Sequence, residues 1–187
     1  MMGLLQRGVL VLSAMLVVLA TAQAGPPTPD PAGASIAEEI AFLMNGLIVD
    51  TTLRPGVNVV DTYAAAFNWT KNPPEMNALL NAKVGYHAKI NGHTVVLGGD
   101  GTNDIFAVAI KEGFDPAKAL AALKQAFTLK DVGPDDSAGQ RSEGYTVLDH
   151  GRNVGLLFLT YGTAEAIRGT GTVSFMSAKK VQAARGQ

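Results

Sequence analysis

Val84-Gly85-Tyr86-His87-Ala88-Lys89-Ile90-Asn91-Gly92-His93-Thr94-Val95-Val96-Leu97 decides the fold. Two runs rich in apolar residues flank Asn91-Gly92, the residue pair best able to take up the positive φ values of a two-residue hairpin turn. A turn of that length fixes the register: Ile90 faces His93, Ala88 faces Val95 and Tyr86 faces Leu97. Val84, Tyr86, Ala88, Ile90, Val95 and Leu97 then share one apolar face, and His87, Lys89 and Thr94 share the other.

Downstream, Ile105–Ile110 is short and rich in Ile, Phe and Val, so it is read as a third antiparallel strand rather than as a helix capped by Thr102 or Asn103. Asp115-Pro116 opens a helix, with a capping carboxylate, proline in the first turn and an apolar stripe of Leu120, Leu123 and Phe127. Acidic residues with Pro134, Ser137 and Gly139 mark residues 133–144 as a mobile surface loop. A second meander follows. Tyr145–Asp149 and Val154–Thr160 flank a loop of His150, Gly151, Arg152 and Asn153, and Thr172–Ser177 is the last strand.

Upstream, Ser35-Ile36-Ala37-Glu38 has capping-box spacing and predicts a helix over Ile36–Asn45. Leu47–Val49 reads as a short strand and Arg54-Pro55-Gly56 as a turn. Asn58 and Asp61 open a second helix that carries Val59, Val60, Tyr63, Ala64 and Phe67 at helical spacing. Asn72-Pro73-Pro74-Glu75 starts a further short helix through Leu80. The expected fold is α+β: an antiparallel sheet built from two three-stranded meanders joined through a helix, with helices packed on one face. The two halves share only a loose likeness, and no repeat is read.

Met1–Ala24 has the layout of a secretory signal. Arg7 precedes an apolar run from Val9 to Ala20, and Ala22-Gln23-Ala24 offers small residues for cleavage after Ala24. The apolar run is shorter than the ~20 residues a spanning helix needs. Export to the periplasm or beyond is therefore expected, with no membrane span after cleavage. Pro26, Pro27, Pro29 and Pro31 make residues 25–34 an extended tether. Residues 35–178 form a single domain, and residues 179–187, with Lys179, Lys180 and Arg185, form a flexible basic tail.

Composition narrows the chemistry. The 187 residues are 47% hydrophobic and 17% charged, with a formal charge of −1. That is a globular composition, and no polybasic surface is available for nucleic acid. The absence of cysteine excludes thiol catalysis and thiolate metal sites.

Gly98-Gly99-Asp100-Gly101-Thr102 resembles the glycine-rich phosphate loop of the diacylglycerol kinase, NAD kinase and phosphofructokinase superfamily, over Val95 to about Ile105. The resemblance implies a nucleotide-dependent kinase whose loop joins a strand of a doubly wound domain to a helix. The hairpin implies the opposite setting, because a mainly parallel sheet needs a crossover of roughly a dozen residues before that strand. Asn91-Gly92 leaves room only for a reversal.

Asp100, Asn103 and Asp104 are candidate binding residues, since oxygen-bearing side chains at this spacing suit either a hard cation or turn capping. The calcium-loop template fails, with Ile105 at the glycine position and Lys111 at that of the bidentate glutamate. No metal and no cofactor are expected. His87 and His93 fall on opposite faces and cannot share an ion. His150, beside Asp149 and Arg152, is the fourth candidate, but no Gly-x-Ser-x-Gly elbow accompanies it. The leading expectation is an exported, non-catalytic binding or interaction module. Its partner would be an envelope protein or a small ligand seated between helices and sheet. The alternative is an envelope hydrolase that uses Asp or Glu carboxylates, with His150 as a candidate base.

Overall fold

The computed structural model describes residues 35–54, 56–72, 82–137 and 139–185. The expected signal, the tether and the helix through Leu80 lie outside them. Helix α1 (Ile36–Leu53) starts on the capping box: the Ser35 hydroxyl accepts from the Glu38 N–H, and the Ser35 N–H donates to the Glu38 carboxylate at 2.7 Å. It runs through Leu47–Val49, where a short strand was expected. Leu47 and Ile48 are fully buried in this helix, and that tertiary burial overrides the β-propensity of the local letters. Gly46 lies under the Tyr63 hydroxyl, where a Cβ atom would collide with the phenol.

Helix α2 (Val59–Ala66) is capped by Asn58, whose side-chain oxygen accepts from the Asp61 N–H. Strands β1 (Thr70–Lys71), β2 (Val84–Ile90), β3 (His93–Gly99) and β4 (Ile105–Ile110) follow. Helix α3 (Pro116–Ala126) starts on Asp115, whose carboxylate accepts from the Ala117 and Lys118 N–H groups at 3.0 and 3.1 Å. Then come β5 (Thr128–Ser137), β6 (Gln140–Asp149), β7 (Arg152–Gly162), a 3-10 turn at Glu165–Ile167, β8 (Gly171–Ser177) and helix α4 (Ala178–Arg185).

The strands form one eight-stranded antiparallel sheet in the order β1-β2-β3-β4-β8-β7-β6-β5. The hairpin register is as expected, with Ile90 opposite His93, Ala88 opposite Val95 and Tyr86 opposite Leu97. Asn91 and Gly92 have φ values of 50° and 82°.

Two expectations are corrected. Residues 133–144 are not a loop, because β5 and β6 pair from Thr128↔Leu148 to Ser137↔Gln140. Their polar composition misleads because β5 is an edge strand, where charges and a proline that donates no hydrogen bond do little harm. With β5, and with the short β1, each meander has four strands rather than three. The segment expected as a tail is helical over Ala178–Arg185, and the Ser177 hydroxyl accepts from the Lys180 N–H at its start.

The strand order reads the same from either edge. Because β4 and β8 pair antiparallel, a pseudo-two-fold axis passes between them and exchanges the meanders. Gly85-Tyr86 before the Asn91-Gly92 turn recurs as Gly144-Tyr145 before His150-Gly151, at the same spacing. His150 and Gly151 repeat the turn dihedrals, with φ values of 50° and 81°. The likeness that looked loose in sequence is thus a structural repeat.

At the axis, Phe106 lies opposite Phe175 and Val108 opposite Val173, and the two phenyl rings are 5.1 Å apart between centroids. Alternate residues of β4 and β8 are buried, and they join Leu97, Val147, Leu157 and Leu159 in one cluster with Ile40, Met44, Val59, Val60 and Leu123 from the helices.

Truncating a phenyl ring at the axis removes contacts from both halves. Phe106→Ala is expected to lower stability by about 3–5 kcal/mol in urea unfolding. Val132→Ala, at a side chain 60% exposed, should stay within about 0.5 kcal/mol of the parent.

Candidate functional site

At one end of the sheet, the turn between β3 and β4, the start of β7, the end of β8 and the segment from Gly56 to Asn58 surround a groove of about 560 Å³. Its walls include Thr51, Asn103, Asp104, Arg152, Asn153 and Lys179.

Asn103 builds one wall. Its side-chain oxygen accepts from the Val59 N–H at 2.9 Å, and its amide nitrogen donates to the Val57 carbonyl. It thereby ties the β3–β4 turn to the start of α2. Asp104 builds another wall: its carboxylate accepts from the Ser177 hydroxyl at 2.6 Å, and its carbonyl accepts from the Ser177 N–H at 2.7 Å. Lys179 approaches the same carboxylate at 3.7 Å from a largely exposed position.

Asp100 does not line this groove. It accepts from the Thr102 N–H at 2.9 Å and from the Thr102 hydroxyl at 2.6 Å, which closes the turn locally. It borders a neighbouring recess of about 430 Å³ with Lys83, Gly98, Ile105 and Lys180. The structure therefore brings Asn103 and Asp104 to one groove and leaves Asp100 beside it. His150 lies beyond both, 77% exposed, with its Nδ1 2.6 Å from the Asp149 carboxylate.

Gly98 and Gly99 are in β3, between antiparallel β2 and β4, and the turn after them leads to a strand. This is not the strand-to-helix setting of a phosphate loop. Gly99 has a packing reason instead: it would place a Cβ 3.1 Å from Val60 and 3.2 Å from the Ile105 carbonyl, so α2 approaches the sheet there.

His87 and His93 lie on opposite faces, as the register requires. The His87 Nδ1 is 2.8 Å from the Asn72 side-chain oxygen, and the His93 Nδ1 is 4.0 Å from Glu112. Among the described residues, no three His, Asp or Glu side chains are grouped to hold a metal ion.

A second polar cluster went unseen in the sequence because Arg141 and Glu143 fell in the supposed loop. On β6, Glu143 accepts from Tyr145 and Tyr161, both at 2.8 Å, and from the Arg141 Nε at 3.0 Å. Partial burial works to raise the Glu143 pKa, but the two phenols and the guanidinium outweigh it and hold the carboxyl below its ordinary range. Burial, with the neighbouring carboxylate, pushes both tyrosines upward. The alternation of Arg141, Glu143 and Tyr145 on one face was the available signal. Arg141 also reaches the Asp136 carboxylate at 3.4 Å, and Tyr161 on β7 ties the cluster on β6 to its neighbour.

In the α1–α2 region, Asp50 is buried and pairs with Arg54. Burial first, then the Asp50 charge, raises the Tyr63 pKa.

Compared with protein-family models, with curated proteins and with solved structures, the chain matches none.

Two outcomes follow from this geometry. Asn103→Ala removes both ties to α2 and should lower stability by about 1–3 kcal/mol in urea unfolding. Because the folded pKa of Glu143 lies below its ordinary 4.5, its contribution is fully present above that value and lost as pH falls through the folded pKa. Tyr161→Phe should move the Glu143 pKa upward in a carboxyl NMR titration, and Glu143→Gln should flatten the stability profile below pH 4.5.

Proposed function

We propose that the protein is an exported binding module, delivered to the periplasm or beyond by the signal at Met1–Ala24, with a small ligand or an envelope protein seated at the groove of Asn103, Asp104 and Arg152. On this reading the helices cover the face of the sheet that carries Leu97, Phe106 and Phe175, and the connections at the sheet end are left to form a site. One observation carries the proposal: a groove of about 560 Å³ is assembled from segments far apart in sequence. Its walls are held by the side chains of Asn103 and Asp104. A scaffold in which hydrogen bonds fix the walls is suited to selecting a ligand by shape and polarity. The groove's carboxylate, Asp104, is engaged in the fold by Ser177, and Asp100 beside the groove is engaged by Thr102. This favours binding over hydrolysis.

The envelope hydrolase remains the second reading, on the strength of the Asp149–His150 contact, which orients an imidazole for proton transfer. Its mark would be ester or peptide turnover by the purified chain that His150→Ala abolishes.

Native mass spectrometry of the mature protein, purified from the envelope of its own cells, tests the binding reading. A retained small molecule or protein partner, lost on substitution at the groove, is the expected result. Bare protein from every preparation would remove it.

A further inference from the structure

The pseudo-two-fold provides an internal comparison that singles out one charge arrangement at the groove. His93 and Arg152 each stand first after their turns, so they occupy equivalent positions. Ile110 ends β4 opposite Val95, and Ser177 ends β8 on the equivalent rung opposite Gly155. Glu112 and Lys179 each stand two residues further on.

At the first end of the sheet these positions hold a basic ring and an acid, His93 and Glu112, 4.0 Å apart. That end is packed shut: a Cβ on Gly113 would meet the His93 ring at 2.9 Å, and the Phe114 N–H donates to the Gly169 carbonyl at 2.9 Å. At the second end the same two positions hold Arg152 and Lys179, two cations on the walls of one open groove.

The side-chain acceptors of Asn103, Asn153 and Asp104 in that groove are already committed. Asn103 accepts from Val59, Asn153 accepts from the Gly155 N–H at 3.0 Å, and Asp104 accepts from Ser177 with Lys179 at 3.7 Å. The donors are not. Among the described residues the Arg152 guanidinium meets no carboxylate, and the Thr51 hydroxyl on the same wall is buried without a partner. One carboxylate, Asp104, and two cations, Arg152 and Lys179, line the same groove.

We infer that the groove binds a small oxyanion, a carboxylate or phosphate group of its ligand, between Arg152 and Lys179 with the Thr51 hydroxyl as a further donor. The inference rests on the groove being the ligand seat. An arginine matches the planar pair of oxygens that either group presents, and a lysine adds a point charge.

Amide NMR titrations of the mature chain with sodium phosphate and, separately, sodium acetate test this at constant ionic strength held with chloride. Saturable shifts are expected at Thr51, Arg152, Asn153 and Lys179 and not at the equivalent His93 and Glu112. The probe that saturates identifies phosphate or carboxylate. Arg152→Ala should weaken binding by about tenfold or more, since a hydrogen bond to a charged group is lost. Lys179→Glu should abolish it. Both side chains are exposed, so an unchanged amide spectrum elsewhere confirms that the variants fold.

Shifts that rise without saturating, that appear equally at the His93 end, or that survive Arg152→Ala would overturn the inference. A ligand retained in native mass spectrometry and lost on Asn103→Ala, with no response to either anion, would sink the oxyanion and leave the binding reading intact. Bare protein with no anion response would sink both.

Discussion

The antiparallel pairing of β4 with β8 is the interaction on which the rest of the structure depends. Each meander alone would leave β4 or β8 as an open edge, with its backbone N–H and C=O groups unpaired along one side. Joining their last strands makes one sheet of eight, with the stacked Phe106 and Phe175 at the junction. Those rings sit where residues from both halves can bury them, so the halves stabilise each other across the axis. Gly155 shows how closely the second half is fitted: a Cβ there would collide with the Met176 carbonyl and the Phe175 ring.

Local turn chemistry made much of the first half legible. Asn91-Gly92 set the β2–β3 register residue by residue, and Ser35, Asn58 and Asp115 marked three helix starts by their capping groups. Legibility failed where tertiary burial decides the outcome. Leu47-Ile48-Val49 has strand-forming letters, yet the burial of Leu47 and Ile48 makes it the fourth turn of α1. The strands β5 and early β6 look like loop because edge position tolerates Gly133, Pro134 and four acidic side chains. The repeat was hidden for a related reason: what the halves share is a turn geometry that Asn91 and His150 both adopt, and unlike side chains can serve the same dihedrals.

The candidate site was legible only in part. Asx chemistry pointed to Asp100, Asn103 and Asp104, and the structure uses all three to hold the β3–β4 turn in place, toward Thr102, Val59 and Ser177 respectively. Arg152 and Lys179 could not be joined by reading along the chain, since one follows a turn in β7's hairpin and the other begins α4. Only the pairing of β7 with β8, together with the helix start capped by Ser177, brings them to one groove.

The outer strands bear on how the molecule behaves in company. β1 is two residues long, and β5 carries a bulge between Asp131 and Gly133, then Pro134 and consecutive aspartates. A neighbouring chain that tried to add itself to β5 would meet a kinked backbone, a missing N–H and like charge. The wide sheet is thus guarded against polymerising strand upon strand, and crowding of many copies in one compartment is met by repulsion rather than by fibre growth.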